Sequence, residues 1–294
     1  PLPFLYESTG VETQFTNALD PTPRSREVFA VHRPETLARW LDEAVKDPGH
    51  PTFRARLHNL PPLDTSALWP AQERAVTALE DSLAHDRARS LIQMATGAGK
   101  TFTAANSVLR LVRGGGAARV LFLVDRSNLG RQTMTEFERF TVPGDGRKFT
   151  ELYNVQRLTS NRIDPDAKVV ISTIQRLYSI LRGEDTFDDE LDEASPEYAM
   201  TGRAEVEYNP AVPPEMFDLV IVDECHRSIY GLWSQVLDYF DAHIVGLTAT
   251  PSKQTLGFFS QNLVFAYTHE EAVADQVNVD FDVYRIKTAI TANG

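Results

Sequence analysis

The order of apolar and polar positions along this chain predicts strands alternating with helices. Short continuous apolar runs end at Met94 and recur over 119–125, 168–173, 217–223 and 243–247. Runs that are apolar throughout, rather than alternating, mark strands buried on both faces, as in a parallel sheet. Between them the period changes to that of a helix. Phe102, Ala105, Val108, Leu109 and Val112 share one face, as do Leu129, Met134 and Phe137 over 127–140, and Leu232, Trp233, Val236, Leu237 and Phe240 over 230–240. A short helix is expected over 174–181. Two more helices are expected upstream, over 34–46 and 70–85, each with proline in its first turn. A weaker run over 149–153 predicts a further strand, Thr268 and Glu271 form a capping-box signal for a helix to Asp275, and 279–290 reads as one more strand. This alternation predicts an α/β fold, a parallel sheet flanked by helices. Residues 1 to about 65, rich in proline, are expected to form a linker and packing arm, 66–276 the α/β lobe, and 277–294 the start of a second lobe.

Composition narrows this picture little. The 294 residues suit one or two domains, and 42% hydrophobic with 24% charged residues is ordinary for a globular chain. No apolar run approaches the length of a membrane span, so no membrane partner is expected, and no signal-peptide pattern opens the chain. Its start on Pro1 reads as a processed or excised piece. The single cysteine, Cys225, excludes an internal disulfide framework and suits a reducing, cytoplasmic setting. A net charge of −12 argues against nucleic acid until its distribution is considered. Glu184 to Glu207 holds ten acidic residues against Arg203 alone, a local −9, and leaves −12 − (−9) = −3 for the rest. The acidic stretch has no apolar period and reads as a solvated loop. The near-neutral remainder leaves room for a local basic face.

The chemistry gathers at Ala95-Thr96-Gly97-Ala98-Gly99-Lys100-Thr101, where a strand passes through a glycine turn into a helix. Gly97 and Gly99 let backbone N–H groups approach an anion, and the positive end of the following helix points at the same place. Lys100 would reach the β- and γ-phosphates of ATP, and Thr101 would hold Mg²⁺. The full eight-residue pattern begins with glycine, whereas this chain has Met94 there. Asp223 and Glu224 follow another apolar run; Asp223 would hold Mg²⁺ and Glu224 would orient or deprotonate water. His226 lies next to them, where it could sense the γ-phosphate. Cys225 reads as a small packing residue. Gln72, near the start of a helix just upstream, offers both donor and acceptor to an adenine edge. No Asn-Lys-x-Asp guanine signature is present.

Ala95–Thr101, Asp223-Glu224-Cys225-His226 and Thr248-Ala249-Thr250 resemble motifs I, II and III of superfamily 2 helicases and translocases. That resemblance implies ATP and Mg²⁺ as cofactors, adenine reading by Gln72, and a coupling role for His226, Thr248 and Thr250. Leu123–Gln132, Ser172–Tyr178, Asp223–Gly231, Gln261–Val264 with Tyr267 and Ala272–Asp275, and the opening Pro3–Gly10 are similar to the motor (R) subunit of Type I restriction-modification enzymes. The likeness implies double-stranded DNA and the modification and specificity subunits as partners, a bacterial or archaeal cytoplasm, and DNA contacts from Arg126, Thr173 and Gln175. Such subunits also carry a nuclease with a Glu-x-Lys pair, which this sequence lacks, and a second motor lobe. The reading this resemblance implies is an α/β RecA-like P-loop NTPase lobe, the excised first motor lobe of an ATP-dependent DNA translocase. The alternatives are another superfamily 2 helicase or remodeller, and a nucleotide-dependent binding module without turnover.

Overall fold

The apolar runs assemble into one parallel sheet, and everything else is arranged around it. The computed structural model describes residues 2–187, 205–227 and 231–280. In chain order the elements are β1 (Phe4–Ser8), β2 (Thr13–Asn17), β3 (Arg26–Val28), α1 (Pro34–Lys46), α2 (Phe53–Leu57), α3 (Pro70–Ala84), β4 (Arg89–Met94) and α4 (Lys100–Arg113). They continue with β5 (Val120–Val124), α5 (Ser127–Arg139), α6 (Phe149–Leu152), β6 (Val155–Arg157), β7 (Val169–Thr173) and α7 (Ile174–Leu181). The last are β8 (Leu219–Asp223), α8 (Leu232–Asp238), β9 (His243–Thr248), α9 (Lys253–Phe258), β10 (Leu263–Tyr267) and α10 (His269–Ala274).

The large sheet has seven strands in the order β10-β4-β9-β8-β5-β7-β6, every pair parallel. Side chains alternate between its faces, as the two-residue period requires. Ile92, Phe122, Ile171 and Ile221 belong to the core that includes residues of α3, α4 and α5. Leu91, Leu121, Val170 and Val220 belong to the core that includes residues of α7 and α8. Both faces are covered, which is why the strands are apolar throughout. Trp233 and Phe122, 1% and 0% exposed, are among the larger anchors; burying a Phe-sized side chain stabilises by about 1.5–3 kcal/mol.

Three expectations change. The run over 149–153 is the helix α6, not a strand: Phe149 packs against Phe137 and Phe140, and Tyr153 returns to it one turn later with ring centroids 5.1 Å apart. The neighbouring strand is β6 instead. The segment after Pro251, where no strand is expected before 279, supplies β10, which pairs with the P-loop strand β4 and forms one edge of the sheet. The proline-rich arm carries more than one helix: β1, β2 and β3 form an antiparallel sheet around Phe15, which is fully buried and in ring contact with Tyr6, His32 and Trp40. The acidic loop falls mostly outside the described residues, as do 281–290 of the expected last strand. Among the described residues, no helix is long and apolar enough to cross a membrane.

Candidate nucleotide site

Strand order brings the sequence motifs together. β4, β9 and β8 are consecutive neighbours, so their carboxyl ends present Ala95–Thr101, Thr248–Thr250 and Asp223-Glu224 side by side. Register aligns them: Gln93 pairs with Thr248, and Leu247 with Asp223. Ligands of open α/β sheets bind in this crevice.

The loop between β4 and α4 has the backbone an anion requires. Gly97 and Gly99 have φ +83° and +81°, a region open to glycine at little cost. Gly99 is the residue before the first turn of α4, so the free N–H groups of a 14-residue helix open onto the loop. Thr96 and Gly97 are exposed, whereas Ala98 is buried beneath them. Thr101 sits half-buried in the first turn of α4.

The charged groups form a continuous chain across the crevice. Lys100 Nζ donates to Glu224 Oε1 at 2.6 Å. Glu224 Oε2 lies 3.5 Å from His226 Nδ1, and that nitrogen lies 3.2 Å from Thr248 Oγ1. The same hydroxyl accepts the Thr250 N–H at 3.2 Å. Thr248 is fully buried and Thr250 exposed, so the chain runs from the lysine to the surface. Glu224 has φ +48°, a left-handed backbone that is uncommon for a side-chain-bearing residue and turns it toward Lys100. Burial pushes the Asp223 carboxyl up to about 6, against the pull of Lys100, with Glu224 and Asp125 adding to the rise. A buried carboxyl in that state is poised to accept a cation. Burial also pushes the Cys225 thiol up, consistent with a packing role, and the side chain is fully buried.

Gln72 also reaches this place, but as a brace on the loop. It is 4% exposed, its Oε1 accepts the Trp69 N–H at 3.0 Å, and a Cβ at Gly99 would overlap its amide nitrogen. Its acceptor thus bonds the start of its own helix, and its amide nitrogen faces the loop. Two of the three residues expected to contact DNA lie inside the lobe in this arrangement. Thr173 is 4% exposed and its hydroxyl caps α7 by accepting the Arg176 N–H at 3.2 Å, while Gln175 is 0% exposed. Neither presents its side chain to a phosphate in this arrangement. Arg126 is 41% exposed at the residue before α5, with Nε 3.6 Å from Asp125. Asn278 was not singled out by sequence reasoning, yet its amide donates to the Thr96 carbonyl at 3.0 Å. No local signal marks it, because the two residues lie 182 positions apart.

Mg²⁺ has a fitting donor set. Among the described residues no group of three or more His, Cys, Asp or Glu side chains could hold a metal alone. A magnesium ion held by one carboxylate, a hydroxyl and substrate phosphates does not need one.

Residues 65–253 match the ResIII family, described as "Type III restriction enzyme, res subunit". The chain belongs to the ResIII family. Relatives extend the likeness beyond the matched segment. The EcoKI Type I restriction endonuclease subunit of Escherichia coli strain K12 is 26% identical over 310 residues, which cover 96% of this chain and 24% of that protein. The EcoAI subunit of Escherichia coli is 28% identical over 232 residues, 76% of this chain and 24% of that protein. This ResIII chain therefore spans about a quarter of the length of these curated relatives. A fragment structure described as that of an HsdR subunit of a type I restriction enzyme, from Vibrio vulnificus YJ016, is 22% identical with TM-score 0.49, covering 93% of this chain and 43% of that one. Over most of its length the ResIII chain is thus similar to one part of Type I restriction endonuclease subunits.

Proposed function

We propose that this lobe binds Mg·ATP in the β4–β9–β8 crevice and serves as the first motor lobe of an ATP-dependent DNA translocase within a Type I restriction complex. The observation that carries the reading is the Lys100–Glu224 pair at 2.6 Å, beside the raised carboxyl of Asp223 and beneath a loop of left-handed glycines. Lys100 exchanges the Glu224 carboxylate for β- and γ-phosphate oxygens, and the exchange releases Glu224 to orient the attacking water. Thr96, Gly97, Ala98 and Gly99 line the phosphate cradle, with backbone N–H groups of the loop and of the α4 start as its donors. Thr101 and Asp223 would hold Mg²⁺, which when bound neutralises charge on the phosphates. Asp223 would serve as a metal ligand in its ionised form. The chain from Glu224 through His226 to Thr248 and exposed Thr250 is suited to report the nucleotide state at the surface.

As partners we assign double-stranded DNA and the modification and specificity subunits of a Type I complex, in a bacterial or archaeal cytoplasm; the similarity to Type I restriction endonuclease subunits supports this. Arg126, exposed at the start of α5, is the phosphate contact we retain. In this reading residues 1–65 are a linker and packing arm, 66–276 the RecA-like ATPase lobe, and 277–294 the start of a second lobe.

Calorimetry with Mg·ATP on two variants tests the reading. Lys100→Ala should lose most of the affinity, because a charge-assisted contact to the phosphates is removed. Glu224→Gln should bind at least as well as the parent chain, since it frees Lys100 and leaves the loop intact. Intact binding in Lys100→Ala, or equal losses in both, would sink the assignment.

A further inference from the structure

The phosphate loop is gripped from both flanks by side-chain amides. Gln72 presses on Gly99 from the α3 side. Asn278 holds the other flank: its Nδ2 donates to the Thr96 carbonyl at 3.0 Å, and its Oδ1 lies 3.2 Å from where a Cβ on Gly97 would stand. The Thr96 carbonyl and the Gly97 N–H belong to one planar trans peptide unit, pointing in opposite directions. A donor that pins the carbonyl therefore fixes where the N–H points. Asn278 thus sets the direction of one of the loop's own anion donors.

Asn278 is in turn anchored to the end of the sheet. Its backbone N–H bonds to the Ala272 carbonyl at 3.0 Å, at the end of α10. Thr268 caps that helix by accepting the Glu271 N–H at 3.3 Å, and Tyr267 Oη donates to Asp275 at 3.0 Å. The Tyr267 carbonyl accepts the Ala95 N–H at 2.9 Å, at the entry to the loop. Ala95, Tyr267, α10, Asn278 and Thr96 therefore close a ring of covalent and hydrogen bonds. A cleft lined by Ala95, Thr96, Thr250, His269 and Asn278 opens beside it.

We propose that Asn278 is a positioning residue that couples the conformation of the phosphate loop to α10, so that nucleotide binding is transmitted to the chain leaving the lobe. The inference rests on the nucleotide reading above and assigns that site an output on the β10 edge, separate from the chain through His226 and Thr248. Coupling of this kind is reciprocal: whatever shifts α10 also changes the loop's affinity for phosphate.

Hydrogen exchange read by mass spectrometry tests it, on the parent chain, Asn278→Ala and Asn278→Asp, each with and without saturating Mg·ATP. Asp has nearly the same shape but no N–H to donate. In the parent chain, nucleotide should change exchange both at 95–101 and at 268–278. In both variants the change should persist at 95–101 and vanish at 268–278. Their nucleotide affinity should fall about two- to tenfold, the loss of one hydrogen bond. Unaltered exchange in β5 and β7 of the free variants should show that the fold is kept; if Asn278→Ala unfolds, Asn278→Asp carries the test. A parental response at 268–278 in a folded variant overturns the coupling, as does a parent chain that responds only at the loop. Absence of any response at 95–101 in the parent chain removes the nucleotide reading itself.

Discussion

Asp223 carries a carboxyl at the end of β8, and burial makes its charge sensitive to pH. Its pKa is raised by burial to about 6 from 3.8, so the folded chain holds its proton more tightly than the unfolded chain does. Where the folded state binds more protons, stability falls as pH rises. The contribution of this group is therefore full below about pH 4 and is lost as pH rises to about 6. A bound cation reverses the penalty. Melting temperatures of the parent chain and Asp223→Asn, compared between pH 4 and 7, should diverge as Asp223 ionises, with the parent chain losing ground. Mg·ADP should restore the parent chain above pH 6 but not the variant. Parallel curves without nucleotide would show that Asp223 is ordinary.

Among the elements, β9 depends on a residue with no side chain. Gly246 pairs with Val222 in β8, and a Cβ there would overlap the ring of Phe259 and stand 2.9 Å from Cys225 Sγ. Phe259 and Cys225 are both fully buried, so neither can swing outward. Gly246→Ala should cost about 1–3 kcal/mol through overpacking. Urea titration would measure it, and a loss under about 0.5 kcal/mol would mean the β8–β9 face tolerates a shift. The same element carries Thr248 at its end, so nucleotide affinity should fall along with stability.

At the scale of the whole molecule, the arm is held to the lobe by buried charge. Arg26 donates twice to Asp241, at 2.6 and 2.8 Å, and His32 Nε2 lies 3.0 Å from the same carboxylate. Tyr6 Oη completes the line at 2.5 Å from His32 Nδ1. Arg54 pairs with Asp86, and Glu215 accepts the Arg33 N–H at 2.9 Å. The Arg26 and His32 partners hold the Asp241 carboxyl well below its ordinary value, although burial pushes the other way. Arg26→Met leaves a buried carboxylate short of its main partner, and should cost about 3–5 kcal/mol. The double variant Arg26→Met/Asp241→Leu should recover much of that. Chemical denaturation of the single and double variants checks this. Equal losses in both would show that packing, not charge, joins arm and lobe.

The sequence by itself determined the class of the fold and where the candidate chemistry gathers. Parallel strands announce themselves locally, because burial on both faces leaves no polar residue in 120–124 or 219–222. Lys100, Asp223 and Glu224 are legible for the same reason: a glycine turn after one buried strand and acids after another are local patterns. The short strands of the arm were not legible, since Phe15 is buried by groups brought from elsewhere, among them the rings of Tyr6, His32 and Trp40. The β10 edge was hidden because half-buried residues give a weak signal and its partner lies far back in the chain. Nor could local pattern show that Thr173 spends its hydroxyl on a cap while Gln175 is fully buried. Only the tertiary structure decided which strand ends are neighbours, that Lys100 meets Glu224, and that Asn278 returns to Thr96. Periodicity records how each residue meets solvent. Contacts between distant segments depend on strand order, which no local pattern carries.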